Sequence, residues 1–465
     1  MQKKLIFKLA IIAALMLLIG VPLLMIQATI RERMAYRDEA ARSIASDSVG
    51  QQTVIGPVLV IPYTETVDVR GRDGNGNPTV TASATRRQHL VYPNELRVTG
   101  RMGTERRYRG IHQVLVYGGQ YDFSGDFTLP TMADLPRADA QARVALAGRP
   151  YLSLPIEDVR GLRDIPRVNW DGQPVEFEQG ARLGQFQKGL HARLGEQALA
   201  APAQVKFAFA LNLAGMERQH FVPVGKNNIV SLTSGWPHPQ FGGRFLPEQR
   251  SVTDAGFQAR WRVPSLASNV QQQLTRMAQA GWNAEGGAQG SPGTPGAQAA
   301  PRAGGADELD HFSVAFVEPV NIYSQADRAT KYGLLFVALT FAAFFVFEVL
   351  KRLPIHPVQY ALVGLALVLF FLLLVSLSEH FPFVAAYLVA SGACIALTGY
   401  YLAHVLRDWR RGLAFGAALT LLYGALYGLL SSESNALALG ALLLFATLAA
   451  VMVATRKVDW YQIGD

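Results

Sequence analysis

Cysteine is nearly absent from this chain: 465 residues contain one, Cys394. That scarcity excludes disulfides and any zinc site built on several thiolates, so a soluble part must be held by an apolar core. Charge is sparse as well, since only 17% of residues are Asp, Glu, Lys or Arg while 50% are hydrophobic. The signatures of common hydrolases and nucleotide enzymes are missing: no Gly-x-Ser-x-Gly elbow, no His-Glu-x-x-His helix, no Gly-x-x-x-x-Gly-Lys-Ser/Thr loop. The net charge of +8 comes without a nucleic-acid motif, so no nucleic acid is expected as a partner. Between Leu9–Ile26 and Tyr332–Ala454 there is no apolar run long enough to cross a bilayer.

Long apolar runs do occupy the two ends. A spanning helix needs ~20 mainly apolar residues, because each residue rises 1.5 Å through a ~30 Å hydrocarbon core. Six segments qualify: Leu9–Thr29, Tyr332–Leu350, Pro357–Leu377, Phe381–Ala403, Gly412–Leu430 and Ala436–Ala454. Lys and Arg are retained on the cytoplasmic side. They cluster at Lys3, Lys4 and Lys8, at Lys351 and Arg352, at Arg407, Arg410 and Arg411, and at Arg456 and Lys457. The alternate loops Ser378–His380 and Ser431–Asn435 have none. The expected topology has both termini cytoplasmic and residues 31–331 outside, in the periplasm of a bacterium. The length of the first apolar run and the charged helical pattern after it favour an anchor over a cleaved signal peptide. The expected domains are residues 1–29 with the first span, 30–331 outside, and a five-helix bundle over 332–465.

The middle stretch has the period of strands. Val205, Phe207, Phe209, Leu211 and Leu213 alternate with Lys206, Ala208, Ala210 and Asn212, and Tyr121, Phe123, Phe127 and Leu129 alternate with polar residues. Shorter runs at 53–63, 89–92, 111–117, 142–146, 229–232, 257–263 and 312–317 add further strands. Together they predict a large, mainly β domain, an antiparallel sandwich or a curled sheet. Two helices are expected beside it: Ile30–Ala45, continuing the first span, and Leu266–Met277, with Leu266, Val270, Leu274 and Met277 on one face. The Gly- and Ala-rich stretch Gly281–Ala306 reads as a disordered insertion.

Several residues invite a functional reading. The soluble histidines His89, His112, His191, His220, His238 and His311 are scattered singly, which suits hydrogen bonding better than metal ligation. Asp73, Asn75 and Asn77 have the spacing of a calcium loop, but Pro78 stands where that loop needs glycine, so a hairpin turn is expected. No cofactor or metal is expected. Trp236-Pro237-His238-Pro239-Gln240-Phe241 fixes two aromatics on a rigid backbone; it reads either as a recognition surface or as a loop plugging the end of the sandwich, and the second is preferred. At the membrane boundaries, Asp327, Arg328, Lys331, Glu379 and His380 are expected at one common depth as a charged seam, with Glu348 near the opposite end of its span, close to Lys351 and Arg352.

The segments Ser234–Pro239, Asp327–Tyr332, Leu339–Glu348, His356–Tyr360, Ser376–His380 and Asp459–Tyr461 resemble, in that order and over nearly the whole chain, the CreD family of inner-membrane, cell-envelope integrity proteins. The long Gly281–Ala306 stretch departs from that pattern. The resemblance implies an envelope protein tied to a two-component stress regulon, with no agreed biochemical activity. The expected function is non-enzymatic envelope maintenance, with membrane lipids around the bundle and a periplasmic protein or lipid partner on the outer domain. The alternatives are a transporter or lipid-handling protein and, third, a membrane enzyme. Oligomeric state is not readable.

Overall fold

The computed structural model describes residues 2–72, 78–109, 112–195, 203–286, 308–318, 322–351, 355–405, 409–431 and 436–456. The chain divides into two compact units, Ala40–Glu318 and Met1–Glu39 with Pro319–Asp465. It opens with one long helix, α1 (Gln2–Asp47), which includes the expected continuation through Ile30–Ala45.

The unit Ala40–Glu318 is mainly β. In order it contains β1 (Gln52–Ile55), β2 (Val58–Arg72), β3 (Pro78–Val91), β4 (Glu95–Arg109), β5 (His112–Leu129), β6 (Arg143–Leu146), β7 (Tyr151–Pro155), β8 (Arg167–Trp170) and β9 (Gln173–Glu176). There follow β10 (Glu178–Gln179), β11 (Gly189–Arg193), β12 (Ala203–Met216), β13 (Arg218–Val222), β14 (Asn227–Ser234), β15 (Pro239–Gly243), β16 (Gln249–Thr253), β17 (Gly256–Pro264), helix α2 (Val270–Gly286) and β18 (Phe312–Phe316). The strands form three sheets. The largest runs β16-β17-β14-β4-β5-β12-β8-β9; a second runs β10-β11-β7-β2-β3, with β6 also on β2; the third is β1-β13-β18-β15.

The expectation of an antiparallel arrangement needs correction at two places, because β14 pairs parallel to β4 and β1 pairs parallel to β13. Parallel partners are joined by long crossovers and leave no hairpin signature in the sequence. The alternation read in β12 holds: Val205, Phe207, Phe209, Leu211 and Leu213 are buried, and Lys206, Ala208 and Ala210 face out. The inner face of the eight-stranded sheet packs on the four-stranded one through rings. Trp261 stacks on Phe312 at 4.9 Å, and Tyr121 meets Phe221 edge-on at 5.5 Å. Such pairs contribute about 0.5–1.5 kcal/mol each beyond burial.

Helix α2 starts later than the pattern predicted. Strand β17 runs to Pro264, and the chain then turns through a short 3-10 helix at Ser265–Ala267. Leu266, expected on the buried face, is therefore exposed, and the buried stripe is Val270, Leu274 and Ala278. The helix also takes in the first residues of the expected insertion, up to Gly286; residues 287–307 lie outside the described residues, as do Asp73, Asn75 and Asn77.

The other unit is helical: α3 (Ile322–Lys331), α4 (Gly333–Lys351), α5 (Pro357–Ser378), α6 (Phe383–Val405), α7 (Trp409–Ser431) and α8 (Ala436–Thr455), together with the start of α1. Among the described residues four helices are long and apolar enough to cross a membrane, Phe7–Asp47, Pro357–Ser378, Phe383–Val405 and Gly412–Ser431. A fifth is formed if Gln325–Lys331 and Gly333–Val346, bent by 45°, count as one span, and Ala438–Val453 is a shorter apolar helix. The expected second span therefore begins with a bend. Gly333, just past it, lets Phe371 and Leu23 approach within 3.4 Å and 3.1 Å of where a Cβ would stand.

Candidate functional site

In the helical unit two ion pairs join α1 to other helices. One face of α1 repeats every three or four residues, with Ile12, Ile19, Leu23, Ile26 and Ile30 buried and Leu15 packed beside them. Gly364 of α5 receives this stripe: a Cβ there would overlap the end of Ile19 and stand 2.9 Å from Phe341. Each end of the stripe carries a cation. Lys8 pairs with Glu348 of α4 and also donates to the Ile355 carbonyl at 3.2 Å. Tyr360 of α5 donates to the other carboxylate oxygen of Glu348 at 2.8 Å. At the far end, Arg33 Nε lies 3.5 Å from Glu379 Oε1, on the residue that closes α5.

Most of the sequence-expected residues can be placed against this frame. Glu348 is buried and held by Lys8 and Tyr360, residues from distant parts of the chain; the Lys351 side chain and Arg352 lie outside the described residues. Asp327 and Lys331 form an ion pair of 2.6 Å along α3, one turn apart. His380 is exposed, its Nδ1 3.4 Å from the Ser376 carbonyl. Arg328, on α3, is half-buried and engaged. Lys8 and Arg33 were not singled out from sequence as site residues, although the signal was there. They extend the apolar stripe by one step at each end, at spacings of four from Ile12 and three from Ile30. A second polar group lies deeper among the helices, where Tyr387 donates to the Tyr423 carbonyl at 2.7 Å and Tyr423 to Cys394 Sγ at 3.0 Å.

In the β unit the Trp236–Gly243 stretch is part of the fold. Pro239–Gly243 is strand β15, paired with β18, and the Phe241 ring meets Phe257 and Trp261 edge-on, each at 5.6 Å. Trp236 Nε1 donates to the carbonyls of His238 at 3.1 Å and Val317 at 3.2 Å, and the Arg106 guanidinium lies over its ring at 6.0 Å. The His238 side chain is exposed. His191 is buried, with Nδ1 2.7 Å from the Gly180 carbonyl, and burial pushes its pKa down. Among the described residues no three His, Cys, Asp or Glu side chains gather as a metal ion would need.

Two carboxylates of this unit are strongly engaged. Burial raises the pKa of Glu65, but hydrogen bonds from the Ala138 and Asp139 amides, with Arg87 beside it, bring it below the ordinary value. Asp158 is lowered chiefly by its hydrogen bond from Arg160. Arg160 in turn donates to the carbonyls of Ser46 at 2.6 Å and Ala45 at 3.0 Å, which caps the end of α1.

An open groove of about 980 Å3 lies on the solvent face of the eight-stranded sheet. It is lined by Arg101, Arg163, Gln120, Asn212, Thr233 and Gln258 among others, and Asp164 is the only carboxylate in the lining.

One family pattern runs through both the helical and the β unit. The family model "Inner membrane protein CreD" matches residues 4–461. The inner membrane protein CreD of Escherichia coli (strain K12) is 34% identical over 467 aligned residues, covering 100% of this chain and 95% of that protein. Two crystal structures of an M1 zinc metallopeptidase from Deinococcus radiodurans align over 37% of this chain and 40% and 39% of theirs. Their identities are 12% and 11% and their TM-scores 0.20 and 0.18, superpositions too poor to identify a fold or a function. With a family match over nearly its full length and a relative 34% identical of which it covers 95%, the chain belongs to the CreD family of inner membrane proteins.

Proposed function

We propose that this protein maintains the cell envelope by binding, without turnover: the helical unit crosses the inner membrane six times, and residues 31–331 lie in the periplasm with both termini in the cytoplasm. The distribution of Lys and Arg among the short loops supports that orientation. The observation that carries the binding role is the make-up of the groove. It is broad, open and lined by amides, hydroxyls and arginines. General acid–base chemistry relies on converging titratable groups, and the groove lining has a single carboxylate and no histidine or cysteine. In the helical unit, Glu348 is neutralised by Lys8 and hydrogen-bonded by Tyr360, an arrangement that suits a fixed anchor.

The location is tested in whole cells with Cys394→Ser as background. An impermeant thiol reagent should label Ser251→Cys and leave His356→Cys unlabelled until the cells are opened; labelling of His356→Cys in sealed cells would reverse the orientation. The binding role is tested by deletion, which should alter sensitivity to detergents or wall-active drugs. Single substitutions of His89, His191 or His220 should leave that phenotype at the parental level. If one of them abolished function at normal protein level, a catalytic role would replace binding.

A further inference from the structure

The groove has an internal order that a solvated sheet face does not require. Strands β16, β17, β14, β4, β5 and β12 are consecutive neighbours in the eight-stranded sheet. Their registers place Ser251 opposite Gln258, Gln258 opposite Thr233, Thr233 opposite Arg101, Arg101 opposite Gln120, and Gln120 opposite Asn212. All six line the groove. They form one polar ladder that crosses the strands, one side chain per strand. With strands ~4.8 Å apart, the ladder is on the order of 24 Å long.

The row beside the ladder is almost bare. Gly103 faces Gly118 across β4 and β5, and Gly118 faces Ala214 on β12. A Cβ at Gly103 or Gly118 would meet nothing within 4 Å, so packing does not demand glycine at either position. The effect of these glycines is an open floor alongside a wall of hydrogen-bonding groups. Charge is also asymmetric. Asp164, the one carboxylate in the lining, is engaged by the Asn212 amide at 2.5 Å, whereas Arg101 and Arg163 are exposed and have no ion-pair partner among the described residues.

We infer that this groove binds a linear, carboxylate-bearing glycan, laid across the strands with its hydroxyls on the ladder and its carboxylates on Arg101 and Arg163. The spacing distinguishes a glycan from a peptide. An extended peptide advances ~3.4 Å per residue and shows one face every second residue, out of step with a ~4.8 Å ladder. A pyranose ring advances by close to one strand spacing, so successive sugars meet successive side chains. Arginine forks suit planar carboxylates. The lining offers no exposed aromatic platform, since its one aromatic, Phe257, is buried, so charge and hydroxyl contacts must carry the recognition. The inference names the partner class for the binding role proposed above. Its test uses purified protein, so it stands or falls separately from the orientation in the membrane.

The full-length protein in lipid nanodiscs is titrated calorimetrically with hyaluronan hexasaccharide, chitohexaose and hexaglutamate. The acidic hexasaccharide should bind, and the neutral chitohexaose should bind about tenfold more weakly because it lacks the carboxylates that the arginines recognise. Hexaglutamate should not compete. The pair Arg101→Ala with Arg163→Ala should weaken the acidic glycan by about tenfold or more and remove most of its salt dependence. Gly118→Leu should block binding by filling the floor while leaving the melting temperature at or above that of the parent, since the new side chain enters open space. Equal binding of chitohexaose, stronger binding of hexaglutamate, full binding by Gly118→Leu, or no binding of the acidic hexasaccharide would each overturn the inference.

Discussion

The two units invert each other. In the β unit the apolar side chains are inside, with rings such as Trp261, Phe127 and Phe312 fully buried, and the amides, hydroxyls and arginines of the groove are outside. In the helical unit Leu17, Leu24, Leu388 and Leu421 face outward, while Glu348, Tyr360, Thr340 and Ser391 are buried. Water and lipid account for the reversal: in lipid an outward leucine costs nothing, and an inward polar group must find its partner within the protein. The comparison also shows what each unit relies on. The β unit depends on filled volume, and the helical unit depends on matched polar groups at the contact of α1 with its neighbours.

The largest effect is expected where volume matters most. Trp261→Ala removes a fully buried ring stacked on Phe312 and should destabilise the β unit by about 3–5 kcal/mol. Thermal melting of the full-length protein in detergent, followed by near-ultraviolet circular dichroism, should show the loss, while helix content in mild detergent stays unchanged. A comparable loss of helix would break the comparison.

Next comes Glu348. Replacing it with Ala leaves Lys8 without its partner and should cost about 3–5 kcal/mol, read by denaturant titration in bicelles. Combining Lys8→Met with Glu348→Met should recover most of that loss, because an apolar pair no longer carries an unmatched charge. A double variant as damaged as Glu348→Ala would mean that the ion pair itself is required.

Overpacking of the α1 contact is smaller. Gly364→Leu drives a side chain against Ile19 and Phe341 and should cost about 1–3 kcal/mol. Crosslinking between cysteines placed on α1 and α5 should fall in proportion. Smaller still is the pair of half-exposed Arg33 and largely covered Glu379, at 3.5 Å. Charge reversal at either residue should weaken the contact, and the double reversal should restore about 0.2–1 kcal/mol of coupling. Strict additivity would remove this pair from the account.

The last effect is a slope. Because the carboxyl of folded Glu65 lies below its ordinary value of 4.5, its contribution to stability is complete above that value and is lost as pH falls through the lowered one. Glu65→Gln should therefore melt earlier near neutral pH and lose less further stability on acidification than the parent. Parallel acid limbs for the two proteins would show that Glu65 does not titrate with folding.

Much of this was legible in the sequence, for reasons that can be named. Strand β12 and the outer half of β5 alternate cleanly because one face is buried and the other solvated. Strands β7 and β11 escaped notice because they are buried on both faces and show no alternation. Strand β16 escaped because it is exposed throughout. The aromatics of Trp236–Phe241 were visible as a cluster, but their integration into β15 depends on β18, more than seventy residues onward. Glu348 was identified, yet its partner was sought next to it in sequence, and the structure supplies Lys8 from 340 residues away. The polar ladder could not be read at all, since it exists only in the register of six strands.

That separation of 340 residues also has a consequence for how the protein is made. At ~5–20 residues per second, α1 emerges about 20–70 s before the helix that carries Glu348. During that interval the isoleucine stripe and Lys8 have no native neighbours, while the entire β unit is synthesised. Biogenesis is thus ordered by the chain itself: the first helix must persist alone, or with a temporary escort, until the last third of the protein arrives to close on it.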